Sequence, residues 1–403
     1  MRPFRSTISL EEARRRLDAA VRPISRTERS HISQSAGRVA AADVISAIDV
    51  PAFARAAMDG YAVVSADTTN ATSDTPARLR LVDRIYTGQM SSVIVVPGTC
   101  AEIATGAPLP AGADAVVMVE ETASEGGQIH IRVAASAGRN IGRRGADIMT
   151  GDPVVRAGEL LTPSRIGALA AIGEAQVTVY VKPRVAILST GNEVVDPGHS
   201  LKDGQIYDVN RFTLGAIVHA HGGEPRSHKA AQDTLESLTR ALEECVESDL
   251  VVFSGGSSVG TRDLVVDLVA ARGKMIFHGI AVKPGKPTAF ALIGTSETPF
   301  FGMPGNPTSC LSNAYVLLIP FLRAVARLPP YTPRTVRVPL GRPIASSAGR
   351  HQFYTVRLEN GAAFPAFKGS GDITSLSQAD GYIEIPANQD VVDKGALVNV
   401  TLF

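Results

Sequence analysis

The sequence predicts a multidomain α/β protein, and three observations carry that expectation. The chain has 403 residues, about 2.7 times a domain of roughly 150, so three or four compact units are expected rather than one core. Between 181 and 328 short apolar runs alternate with helical segments, the pattern of a mainly parallel sheet with helices on both faces. The stretches 48–140 and 334–403 consist instead of short β-rich runs broken by Gly, Pro, Ser and Asp.

Each element has a local reason. Leu10, Ala13 and Leu17 have helical spacing, with Ser9 as N-cap and Glu12 as its capping-box partner, so a helix is expected over 8–20. Tyr61-Ala-Val-Val64 and Ala115-Val-Val-Met-Val119 read as strands of a small β unit. Ser164 caps a helix over 164–172 that Gly173 ends. In the central region 185–188, 250–253, 275–277, 289–293 and 299–301 read as strands. Helices are expected at 209–221, 233–247, 262–271 and 307–327, the second capped by Asp233 with Glu236 at its third position. Leu328-Pro-Pro-Tyr-Thr-Pro333 marks a boundary, and the remainder reads as a small β-barrel or sandwich.

Composition removes several classes. With 44% hydrophobic and 20% charged residues the chain is globular, and a net charge of +1 from 40 basic and 39 acidic side chains gives no basis for nucleic-acid binding. Cys100, Cys245 and Cys310 are far apart and outside any CxxC or Cys/His spacing, so buried thiols are expected rather than disulfides or zinc. The start carries no signal-peptide pattern and no 18-residue apolar run occurs, which predicts a soluble, cytoplasmic protein without a membrane partner. Neither GxxxxGK[ST] nor a GxGxxG after a strand is present, and HExxH and GxSxG are missing; His219 and His221 read as the end of a helix.

What remains is a set of loops. Only 8 of the 40 basic residues are Lys, none precedes Lys182, and two of them fall in Val282-Lys-Pro-Gly-Lys-Pro287. The central strands lead into Ser189-Thr-Gly-Asn-Glu193, Ser254-Gly-Gly-Ser-Ser-Val-Gly260 with Thr-Arg-Asp263 after it, the lysine loop, and Gly302-Met-Pro-Gly-Asn-Pro307. Strand-end loops of a parallel sheet line its ligand crevice. Gly and Ser or Thr before a helix expose N–H groups to an anion, and Lys283 and Lys286 add point charges. Glu193 and Asp263 beside anion loops make sense when Mg²⁺ bridges them to a phosphate. Asp233 is a third possible ligand, with an N-cap role as its plainer explanation.

These loops, together with Pro51-Ala-Phe-Ala-Arg-Ala-Ala-Met-Asp-Gly-Tyr-Ala62, Thr105-Gly-Ala-Pro108 and Asn140-Ile-Gly-Arg-Arg-Gly-Ala-Asp147, resemble in order the molybdopterin molybdenumtransferases, the MoeA proteins and the related gephyrin-type E domains. Ser257 stands where Val is usual and Asn192 where Asp is common, which removes one carboxylate from the region. The resemblance implies a segmented N-terminal domain (1–48 with 140–180), an inserted β lid domain (49–139), an α/β domain (181–328) and a C-terminal β-barrel (329–403), in a homodimer. It implies molybdate insertion into adenylylated molybdopterin with release of AMP, aided by Mg²⁺. Asp263, Lys283, Lys286, Asp59 and Asp147 are the implied catalytic residues, Asp59, Thr105 and Asp147 entering from the partner subunit. Glu193, Asp233 and Asp263 would hold Mg²⁺ or its waters. Substrate contacts fall to Thr105, Ser189, Thr190, Gly191, Gly255, Gly256, Ser257, Pro304, Gly305, Asn306, Pro307, Ser309, Arg350 and Ser370. A non-catalytic pterin carrier is the rival reading, against which the retained carboxylates count.

Overall fold

The computed structural model describes residues 7–245, 247–255, 264–347 and 349–403. They form two compact units, one of residues through Glu28, Gly37–Val39 and Val179–Phe403, the other of Arg29–Ala36 and Ala40–Thr178.

The first unit is organised by a six-stranded sheet in the order Glu224–Ser227, Arg184–Ser189, Leu250–Ser254, Thr298–Met303, Ala289–Ile293, Gly273–His278. The first three pairings are parallel and the last two antiparallel, so the sheet is mainly parallel with an antiparallel side at 289–293 and 273–278. Strand side chains alternate between two cores. Val185, Ile187, Leu250 and Val252 join helices Asn210–Ala220 and Pro307–Val325 on one face, and Ala186, Leu188, Val251 and Phe253 join Leu235–Glu244 and Leu264–Arg272 on the other. Burial on both faces is why these strands are uninterrupted apolar runs. Phe290, Phe301 and Phe321 form a triangle with centroids 4.9 to 5.4 Å apart on the first face. Leu10, Ala13 and Leu17 of helix Leu10–Ala20 pack into the same core.

The helix caps differ in detail from the sequence reading. Ser9 accepts the Glu12 N–H at 3.1 Å as expected, yet the Glu12 carboxylate turns to Arg15 and Arg16 instead of closing a capping box. Thr234, not Asp233, caps Leu235–Glu244, accepting the Ser237 N–H at 3.2 Å. In the other unit Thr162, not Ser164, caps Pro163–Ala171, because Pro163 occupies the first turn and lacks an N–H. Among the described residues one helix, Pro307–Val325, is long and apolar enough to cross a membrane; most of it is buried in the protein core. Thr308, Ser309, Ser312, Asn313 and Arg323 interrupt its apolar run in the sequence.

The C-terminal strands form a second six-stranded sheet in this unit, and its edge strand is Val282–Lys283, which runs parallel to His351–Glu359 with Lys283 opposite Gln352. The lysine loop therefore belongs to both sheets.

The other unit holds a six-stranded sheet ordered Ala115–Met118, Gly60–Val63, Thr99–Ile103, Ala77–Ile85, Gln128–Ile131, Thr122–Glu125. Tyr61 and Val63 face one core and Ala62 the other. Short antiparallel ladders join Arg55–Ala56 to Ile141–Gly142 and Val44–Ile45 to Pro153–Val155.

Candidate functional site

Strand direction puts four loops on one sheet edge. Strands 184–189, 250–254 and 298–303 are parallel and end together, Ser189 standing opposite Ser254 and Ser254 opposite Met303. Strand 289–293 runs against 298–303, and 273–278 against 289–293, so the 279–288 connection also opens on that edge. The loops enclose a crevice of 1410 Å³.

Close backbone approach shapes its floor. Thr190 N–H donates to Ser254 O at 2.8 Å and Gly255 N–H to Met303 O at 3.1 Å. Gly255 has φ +94°, and a Cβ there would lie 2.6 Å from Thr190 O, so only glycine fits. Gly305 lies against Gly255, and Asn210 ties the two loops by donating from Nδ2 to Ser254 Oγ and to Gly305 O, both at 2.7 Å.

Most residues of the expected substrate set meet here. Ser189, Thr190, Gly255 and Ser309 line the crevice, as do Pro304, Gly305, Asn306 and Pro307. Lys283 and Lys286 stand in the same wall, with Arg350 and Ser370 from the C-terminal segment. Lys283 Nζ donates to Ser347 Oγ at 2.6 Å. Asn306 caps no N–H of the following helix; its Nδ2 donates to Ser370 Oγ at 3.0 Å, while Thr308 N–H donates to Ser370 O at 3.1 Å, which fastens the C-terminal loop to the crevice. Gly191 is not part of the wall. Gly256, Ser257 and Asp263 lie outside the described residues.

Besides Asp208, whose Oδ1 accepts from Ser189 Oγ and the Arg211 N–H, two carboxylates line the crevice. Displaced from the cap position, Asp233 faces it together with Glu193, and burial followed by the charge of Glu193 pushes the Asp233 carboxyl above its ordinary range. Two crowded carboxylates form a hard oxygen donor set suited to Mg²⁺, which relieves their repulsion. Among the described residues no group of three His, Cys, Asp or Glu is assembled as metal ligands.

Asp59, Thr105 and Asp147 belong to the other unit. There Asp59 Oδ1 accepts the Thr105 N–H at 2.7 Å, a bond that holds the Asp59 carboxyl below its usual range. Asp147 is placed by its N–H, which donates to Val50 O at 3.0 Å.

Sequence reading missed Asp208, Asn210, Arg211 and Asn313, all buried. The polar run Tyr207-Asp-Val-Asn-Arg211 at the start of a helix was the available signal for three of them. The cysteines are free and buried, their thiols pushed up to about 12 by burial. His219 and His221 do end a helix.

Similarity to known proteins extends along nearly the whole chain. Residues 8–173 match the MoeA N-terminal region (domain I and II), 186–324 a probable molybdopterin binding domain, and 337–403 the MoeA C-terminal region (domain IV). The chain is 35% identical over 376 residues to molybdopterin molybdenumtransferase 2 of Mycobacterium tuberculosis, covering 91% of this chain and 92% of that one. It is 31% identical to the molybdopterin molybdenumtransferase of Haemophilus influenzae, covering 98% of each. Two crystal structures of molybdopterin biosynthesis MoeA proteins from Pyrococcus horikoshii superpose with TM-scores of 0.85 and 0.83 at 39% and 30% identity; they cover 98% and 99% of this chain, and 99% and 100% of their own.

Proposed function

The chain belongs to the molybdopterin molybdenumtransferase (MoeA) family, and from that premise we propose that it transfers molybdate to adenylylated molybdopterin in molybdenum cofactor biosynthesis, with release of AMP and dependence on Mg²⁺. The observation that carries this reading is the meeting of Lys283, Lys286, Arg350 and Ser309 with Glu193 and Asp233 in one crevice.

Both substrates are anions. Lys283, Lys286 and Arg350 supply the positive charge that molybdate and phosphate oxygens require, and Ser309 and Ser370 add hydroxyl donors. Ser189 and Thr190, with Ser254 and Gly255, present the strand-end backbone that binds the pterin and phosphate parts. Glu193, Asp233 and Asp263 hold Mg²⁺ or its waters. Mg²⁺, when bound, neutralises charge that develops at phosphorus as the pyrophosphate link is cleaved. Asp59, Thr105 and Asp147 complete the crevice of a second copy, so the working form is a homodimer.

The test is AMP release from adenylylated molybdopterin, with Mg²⁺ and with molybdate or tungstate. Release that needs Mg²⁺ and an oxyanion is expected, falling at least about a hundredfold in Lys286→Ala or Asp263→Ala. Unchanged release in both variants would overturn the assignment. Sedimentation at twice 42.3 kDa is expected, and a monomer would remove the cross-subunit role of Asp59 and Asp147.

A further inference from the structure

Arg211 connects the two chain segments that carry Glu193 and Asp233. It is the second residue of helix Asn210–Ala220, and its side chain is 9% exposed. Its Nη2 donates to Asp196 Oδ1, its Nη1 donates to His228 O at 2.9 Å, and its Nε pairs with Asp208 Oδ2 at 3.1 Å. Asp196 lies three residues past Glu193. His228 begins the stretch that ends at Asp233.

The two segments are also held by shorter-range bonds, some of them to each other. Glu193 O accepts the Ile206 N–H at 2.8 Å, and Asp208 N–H donates to Val195 O at 2.9 Å. On the other side Ala231 N–H donates to Ser189 O at 3.0 Å, and Asp233 N–H to Asn192 Oδ1 at 3.1 Å. Arg211 adds a third tie behind the direct ones made by Asn192 Oδ1 and the Ala231 backbone, reaching Asp196 on one segment and His228 on the other with a single side chain. A guanidinium does this because its donors lie in a rigid planar fork, whereas a lysine is a single point charge. Asp208 holds the fork in place, its Oδ1 accepting from Ser189 Oγ at 2.8 Å and from the Arg211 N–H at 3.1 Å.

We infer that Arg211 is a positioning residue for the divalent cation: acting through Asp196 and the His228 carbonyl, it sets the separation of the Glu193 and Asp233 carboxylates. This rests on the reading that those carboxylates hold the cation. Groups that orient metal ligands from behind commonly change affinity by about 10- to 100-fold when removed.

The experiment is calorimetric titration of Mg²⁺, or of Mn²⁺ followed by electron spin resonance, into the full chain without substrate. The variants are Glu193→Gln, Arg211→Lys and Asp196→Asn. Glu193→Gln should abolish saturable binding. Arg211→Lys and Asp196→Asn should raise Kd about 10-fold or more with the circular dichroism spectrum retained. Asp196 is the more exposed partner, 35% against 9% for Arg211, so its variant decides the matter if Arg211→Lys does not fold. A Kd within about twofold of the parent in folded Asp196→Asn and Arg211→Lys would make Arg211 a structural ion-pair residue and overturn the inference. Equal Mn²⁺ binding by the parent and Glu193→Gln would overturn the carboxylate reading itself, and the inference with it.

Discussion

Asn313 donates from Nδ2 to the carbonyl oxygen of Gly285 at 2.8 Å and to Thr288 Oγ1 at 2.6 Å, so a buried helix side chain holds the lysine loop in shape. Both Asn313 and Thr288 are fully buried. Gly285 has φ +104°, and a Cβ there would lie 2.3 Å from Asn313 Nδ2.

Gly285→Ala therefore forces the loop off Asn313. The loss of stability should be about 2 kcal/mol, the usual scale of overpacking in a close-packed site. Since Lys283 and Lys286 flank Gly285, molybdate retention in equilibrium dialysis should fall with it. Parent-like retention would show that the lysines act independently of loop shape.

The cap at the start of Leu235–Glu244 separates two neighbours with different work. Thr234→Ala removes the bond to Ser237 N–H and should cost about 1 kcal/mol in urea denaturation. Asp233 makes no cap bond. Its raised carboxyl means that the fold binds the proton more tightly than the unfolded chain does, so its ionised form at neutral pH opposes folding. Asp233→Asn should be neutral or stabilising without Mg²⁺. A loss as large as that of Thr234→Ala would return the cap to Asp233.

This pair also shows where sequence reasoning stops. Asp233 and Thr234 both satisfy the cap rule, and backbone geometry chooses between them. The central strands were legible because burial on two faces leaves an apolar run such as Val185-Ala-Ile-Leu188. Glu-Pro-Arg-Ser at 224–227 is an edge strand with no apolar residue other than Pro225, so nothing marks it. Strand direction was equally hidden: 289–293 is as apolar as its parallel neighbours but runs the other way. Gly-rich loops and paired lysines are local signals. Asn313 gives none, because its partner Gly285 stands far off in sequence, and the polar run around Arg211 does not reveal its partners Asp196 and His228.

Glu384 gives the C-terminal sheet an acid limb. Its hydrogen bond with His351, at 2.8 Å, holds its carboxyl below the ordinary value of 4.5, assisted by the charge of Arg14. A depressed carboxyl contributes stability that is complete above its unfolded value and is lost as pH falls through the folded one. The loss should begin below 4.5. Because the side chain is 35% exposed, solvent screening limits the effect to about 1 kcal/mol. Glu384→Gln should lower stability by that amount at about pH 6, and the gap to the parent should narrow as pH falls below 4.5. A gap unchanged across that range would assign the loss to packing.

The orientation of Asn210 follows from its partners. Gly305 O can only accept, so the amide must present its NH₂ group to that carbonyl, and the same nitrogen reaches Ser254 Oγ. Asn210→Asp keeps the size and removes both donors. At neutral pH it sets a carboxylate oxygen against the Gly305 carbonyl in a buried position. The cost should be about 3 kcal/mol, the scale of a buried polar group left unpaired. The two loops that meet at Gly255 and Gly305 should separate, and AMP release should fall as they do. Protonation restores one donor, so the stability gap to the parent should narrow as pH decreases. Denaturation curves across pH test this directly: an Asn210→Asp variant as stable as the parent at neutral pH would mean that Asn210 does not tie the loops.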